Sequence, residues 1–167
     1  MDVHAELDRL ESDASLRAPE RWSARAKALS DVGVARELAR YTRDRNLDAR
    51  ARALHELLAT AQDEAVQAFA AHVRDGGRTL PPDAADVDAL LAALVGPEPP
   101  STRPLEPGLI HFQAAPSAVV LAGLQLLSLD GAHSLLDVGS GLGHVAILAH
   151  LVTGACARGI ELDPAYV

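Results

Sequence analysis

The chain has 167 residues, of which 49% are hydrophobic and 23% charged, a globular composition that excludes a largely disordered chain. Its net charge of −8 is spread along the whole length and removes the basic surface that a general grip on nucleic acid needs. One cysteine, Cys156, excludes an internal disulfide and a thiolate zinc cluster.

Residues 1–95 read as an α-helical region. Val3, Leu7 and Leu10 share a helical face and predict a short first helix. Pro19 suits a first helical position, with Trp22, Ala26 and Leu29 following at helical spacing. Asp31 is placed to cap a further stretch whose Val34, Leu38 and Tyr41 line one side. The clearest helix runs from about Asp48 to Arg74, with Leu54, Leu58, Ala61, Ala65, Phe69 and Val73 as its stripe and Gly76-Gly77 as its stop. The arginine-rich run Arg36–Arg52 also carries Glu37, Asp44 and Asp48 at pairing distance on a helix surface. It reads as a solvated face, with a patch for an anionic partner as the alternative. Pro81-Pro82-Asp83 opens another helix bearing Val87, Leu90, Leu91 and Leu94 before Gly96.

Residues 96–108 hold five prolines and predict a stiff linker. Beyond it the pattern changes. Pro116 and Ser117 open a helix with Val119, Val120, Leu124 and Leu127, and Asp130-Gly131 makes a turn. Ser134–Val138 suits a buried strand, Leu142–Thr153 a helix packed on a sheet, and Ala157–Leu162 a second strand. Strand, glycine turn, helix and strand form a parallel βαβ unit with a right-handed crossover.

The chemistry concentrates in Asp137-Val138-Gly139-Ser140-Gly141-Leu142-Gly143-His144. Alternate glycines let the backbone turn sharply and let a ligand approach the main chain. The helix that follows offers free N–H groups and the positive end of its dipole. Dinucleotide folds use G-x-G-x-x-G at such a turn. Here the third glycine comes one residue early, at Gly143, and Asp137 stands two positions before Gly139. A carboxylate there is a poor neighbour for a pyrophosphate and a good one for a cation.

This acidic-x-Gly-x-Gly-x-Gly turn, with Gly159-Ile160-Glu161-Leu162-Asp163-Pro164 placing Glu161 18 residues after Gly143, resembles class I S-adenosylmethionine-dependent methyltransferases. The resemblance implies an α/β fold in which the helical region precedes the first βαβ unit of a Rossmann-like methyltransferase domain, residues 109–167. It implies that Asp137 lies near the amino group of the methionine moiety, that Gly139, Ser140, Gly141 and Gly143 bring the backbone close, that Glu161 accepts both ribose hydroxyls, and that Leu162 flanks the adenine. The segment Ile110-His111-Phe112-Gln113-Ala114-Ala115-Pro116 resembles the stretch ahead of strand one in several protein-lysine methyltransferases, which puts Gln113 near the methionine end. Ala115 replaces the hydroxyl residue usual there.

The family's sheet has seven strands and this chain shows two, so the resemblance implies a fold truncated after strand two. Catalytic residues are then expected beyond Val167, and weak or absent cofactor binding by these residues alone. The implied reaction is methyl transfer to an acceptor, a protein side chain or a small molecule. A nicotinamide- or flavin-binding protein, or a non-catalytic helical interaction module with a βαβ remnant, are the alternatives. No metal site is expected, because His144 and His150 are six residues apart and diverge on a helix. A buried thiol is expected at Cys156. Acidic residues follow Met1, and the longest apolar stretches fall short of the roughly 20 residues that a bilayer crossing needs. A cytoplasmic protein, encoded by a GC-rich bacterial genome and able to self-associate through its N-terminal helices, is the resulting expectation.

Overall fold

The computed structural model describes residues 2–96 and 113–166. The linker from residue 97 onward, and Ile110, His111 and Phe112, lie outside the described residues. The chain is mostly helical and carries a small two-stranded parallel sheet, an arrangement compatible with the α/β class. It divides into two compact units between Ala71 and His72. Among the described residues, no helix is long and apolar enough to cross a membrane.

The first unit contains α1 (Val3–Ser12), a 3-10 turn (Ala14–Arg17), α2 (Trp22–Thr42) and most of α3 (Arg45–Arg74). Asp2 starts α1 by accepting from the N–H groups of His4 and Ala5. Helix α2 begins three residues later than Pro19, and the cause is Arg25. Its side chain is wholly buried and donates to the carbonyls of Leu16, Ala18 and Pro19 at 3.1, 2.9 and 3.4 Å. It also donates to Gln62 Oε1 at 2.8 Å, and the guanidinium carbon lies 5.4 Å from the Trp22 ring centre. Those carbonyls belong to the 3-10 turn and to the residues between it and α2. Asp31 does not start a new helix but sits inside α2, paired with Lys27.

The stripe Val34, Leu38, Tyr41 faces outward, with Tyr41 87% exposed. The buried face of α2 is instead Trp22, Arg25, Ala28, Val32, Ala35 and Ala39. Small alanines let helices approach closely, and they join Leu7, Leu10, Leu47, Ala51, Leu54 and Leu58 in one core. Arg43, in left-handed conformation at φ 58°, closes α2, and Asp44 caps α3 through Asn46 and Leu47. Helix α3 thus starts three residues before Asp48.

In the second unit, Asp83 caps α4 (Ala84–Val95), whose Val87, Leu90 and Leu91 are buried. Helix α4 was read from the sequence with the N-terminal helices. It packs here, with Val87 and Leu91 against Leu148 and beside Val120, Leu121 and Ile147. Helix α5 (Ser117–Leu127) has no cap from Pro116. Asp88 of α4 supplies one by accepting from Ser117 N–H at 2.7 Å, while Ser117 Oγ donates to the Ala84 carbonyl at 2.9 Å.

Strand β1 (Ser134–Val138), α6 (His144–Thr153) and β2 (Cys156–Ile160) follow, with β1 parallel to β2. In register, Ser134 faces Cys156, Asp137 faces Gly159 and Val138 faces Ile160. Helix α6 packs on both strands. Half-buried Leu135, Asp137 and Ala157 alternate with exposed Leu136, Val138, Cys156, Arg158 and Ile160. The sequence predicts a buried strand at β1, but among the described residues only one side of it is covered. Cys156 is exposed rather than a buried thiol, because its register position puts it on the uncovered side.

Candidate functional site

The site is the turn between β1 and α6 together with the residues that leave β2. Gly139, Gly141 and Gly143 have φ of 81°, 52° and 81°, a left-handed region in which a Cβ is costly. The turn is held from inside. Gly139 and Ser140 both donate their N–H to the Ile160 carbonyl, at 2.7 and 3.1 Å, and Gly143 donates to the Ser140 carbonyl at 2.8 Å. Gly159 permits this closeness: a Cβ there would stand 2.6 Å from Ser140 Cβ.

Glu161 ties the two crossings together. Its Oε2 accepts from Gly141 N–H at 2.8 Å. Its Oε1 accepts from the N–H groups of Leu162 and Asp163 at 2.6 and 2.8 Å. Those backbone donors, Asp163 and Gly141 foremost, hold the Glu161 carboxyl below its ordinary range. Asp163 is buried and caps the short 3-10 turn Pro164–Tyr166 through Ala165 N–H.

Asp137 is in the opposite situation. Among the described residues, its Oδ2 is buried without a hydrogen-bond partner. Burial, and then the negative charge of Glu161, push its carboxyl above the ordinary range. Among the described residues, the site therefore holds one firmly anchored anion and one carboxylate lacking a counter-charge.

No family model, curated protein or solved structure matches the chain. The site's chemistry is read from its own groups. Asp137, Gly139, Ser140, Gly141, Gly143 and Glu161 come together around the turn. Leu162 contributes its N–H to Glu161, but its side chain is 62% exposed. Gln113 is exposed ahead of α5, and among the described residues no hydrogen bond joins it to the turn. The ring of His144, the first residue of α6, is pushed toward its neutral form by burial. Among the described residues, no group of three His, Cys, Asp or Glu side chains is arranged to hold a metal ion.

Three contributors escape the sequence reading. Gly159 has a recognisable signal, a lone glycine inside a strand pattern, which marks close backbone approach. Asp163 precedes a proline after the strand, where a carboxylate caps a turn. Asp88 has none, because its partner Ser117 is 29 residues away.

Proposed function

We propose that the second unit is the S-adenosylmethionine-binding portion of a class I methyltransferase with a Rossmann-like sheet. The observation that carries this reading is the pair of carboxylates. Among the described residues, Asp137 has a buried oxygen with no partner, and Glu161 is fixed and ionised at the end of the neighbouring strand. A buried carboxylate without a counter-charge favours a cationic ligand. An adenosine bearing an ammonium group meets both needs: Asp137 takes the amino group, and Glu161, with three of its roughly four acceptor sites taken by backbone N–H groups, has capacity left for one ribose hydroxyl.

The turn argues against a dinucleotide. The N–H groups of Gly139 and Ser140 are engaged by the Ile160 carbonyl, and that of Gly141 by Glu161. A pyrophosphate would have to displace a carboxylate and then lie beside two. Gly139, Ser140, Gly141 and Gly143 keep side chains away from the ligand's path, Leu162 borders the adenine, and Gln113 reaches the methionine end. When bound, S-adenosylmethionine supplies an electrophilic sulfonium methyl for in-line displacement by a nucleophilic atom of the acceptor. The residues around the turn bind and orient the cofactor, and the acceptor is a protein side chain or a small molecule. The reading places the enzyme in the cytoplasm, with the helical first unit serving acceptor recognition or self-association.

Calorimetric titration of the full chain with S-adenosylmethionine, S-adenosylhomocysteine and NAD tests this. The first two are expected to bind in preference to NAD, and Glu161→Ala to weaken them by at least about tenfold, the cost of losing hydrogen bonds to a charged group. Tighter binding of NAD, or affinity unchanged by Glu161→Ala, contradicts it.

A further inference from the structure

We propose that ligand entry at this site is proton-coupled: a cationic ligand displaces to solvent the proton that Asp137 carries in the ligand-free protein. The inference rests on the methyltransferase reading and adds a regulation to it.

Among the described residues, Asp137 Oδ2 is buried and has no hydrogen-bond partner. Its partner in register on β2 is Gly159, which offers no side chain. The charged residue next to Gly159, Arg158, is on the exposed side of the sheet, as is Cys156. The segment after β2 brings only more negative charge, in Glu161 and Asp163. Helix α6 brings His144, held toward neutrality by burial, and His150, exposed and with Nδ1 2.9 Å from the Ala155 carbonyl. Of these groups only Glu161 acts on the Asp137 charge, and it opposes ionisation. Glu161 cannot take up the proton in its place, since three backbone N–H groups hold it ionised.

In the pH interval between the ordinary aspartate value and the raised value in the folded protein, the ligand-free protein holds a proton on Asp137. An ammonium group against that carboxyl favours the anion, so the proton leaves as the ligand enters. Affinity for a ligand with an amino group then rises with pH, by up to about tenfold per unit, and levels off above the Asp137 titration. A neutral adenosine derivative shows no such slope.

The test has two readouts on the full chain. A carbon-13 carboxyl titration, assigned with Asp137→Asn, is expected to place the Asp137 midpoint above the ordinary aspartate range. Calorimetry in two buffers of different ionisation heat, near that midpoint, is expected to show release of up to one proton with S-adenosylhomocysteine, none with 5′-methylthioadenosine, and none from Asp137→Asn. An ordinary Asp137 midpoint overturns the proposal, as does equal proton release with methylthioadenosine. Binding of S-adenosylhomocysteine without proton release overturns the coupling and leaves the methyltransferase reading standing. Absence of binding by any adenosyl compound, with Asp137 still titrating high, overturns that reading and the coupling with it.

Discussion

A carboxylate oxygen held out of water without a hydrogen bond raises the free energy of the fold when the group is ionised, and among the described residues Asp137 Oδ2 occupies that position. Because its folded-state value lies above the ordinary one, the folded chain binds the proton more readily than the unfolded chain. Its contribution to stability is therefore present in acid and is lost as pH rises through the raised value. Asp137→Asn is expected to stabilise the ligand-free protein at neutral pH by about 1 kcal/mol and to flatten that loss in thermal melts taken across the acid range. A variant less stable than the parent at neutral pH would show that the carboxylate has a partner. Gly159 gives a second prediction. A Cβ there would stand 2.6 Å from that of Ser140, so Gly159→Ala should cost about 1–3 kcal/mol, as overpacking does. Adding Ser140→Gly should recover much of the loss, and denaturant melts of the four variants in that cycle measure the coupling. Both residues show what a sequence can reveal. The acidic position and the glycine spacing were legible because each is a backbone or charge requirement written in one residue type. The absence of a hydrogen bond at Asp137 was not, because it depends on which groups the fold brings near.

At the scale of elements, helices were legible where caps and stripes agreed. Asp83 before α4 and Gly154 after α6 mark ends that local chemistry dictates. Helix α2 departs from the sequence expectation at its start and on its face, since Arg25 binds the carbonyls before it and alanines, not the larger Val34, Leu38 and Tyr41, form the contact. A buried arginine is not visible as core in any hydrophobic pattern. Removing it leaves the carbonyls of Leu16 and Ala18 and the Gln62 side chain unanswered. Arg25→Ala is expected to destabilise the first unit by about 3–5 kcal/mol, read by chemical denaturation with Trp22 fluorescence; a loss below about 1 kcal/mol would contradict the role given to it. Helix α5 depends on a residue of another helix for its cap, so Asp88→Ala should cost about 1 kcal/mol and speed amide exchange at Ser117.

At the scale of the molecule, the two units have separate cores, one of helices alone and one in which α4, α5 and α6 accompany a two-stranded sheet. Leu136, Val138 and Ile160 are 59%, 77% and 55% exposed on the uncovered side of that sheet, whereas parallel strands are ordinarily covered on both faces. That exposure explains why apolar runs such as Ser134–Val138 overstated burial: composition reports what a strand is suited to, not which of its faces is covered. Amides of β1 and β2 are expected to exchange with solvent faster than those of α3 around Leu54 and Leu58. In the proposed site, Asp137 and Glu161 hold opposite ends of one adenosyl cation. An amide NMR titration of the full chain with S-adenosylhomocysteine is the sharpest check, since it registers even weak binding. The signals of Val138 to Gly143 and of Glu161 to Asp163 are expected to move together with a single dissociation constant, and NAD to leave them in place. Shifts confined to one of those two segments, or larger shifts with NAD, would contradict it.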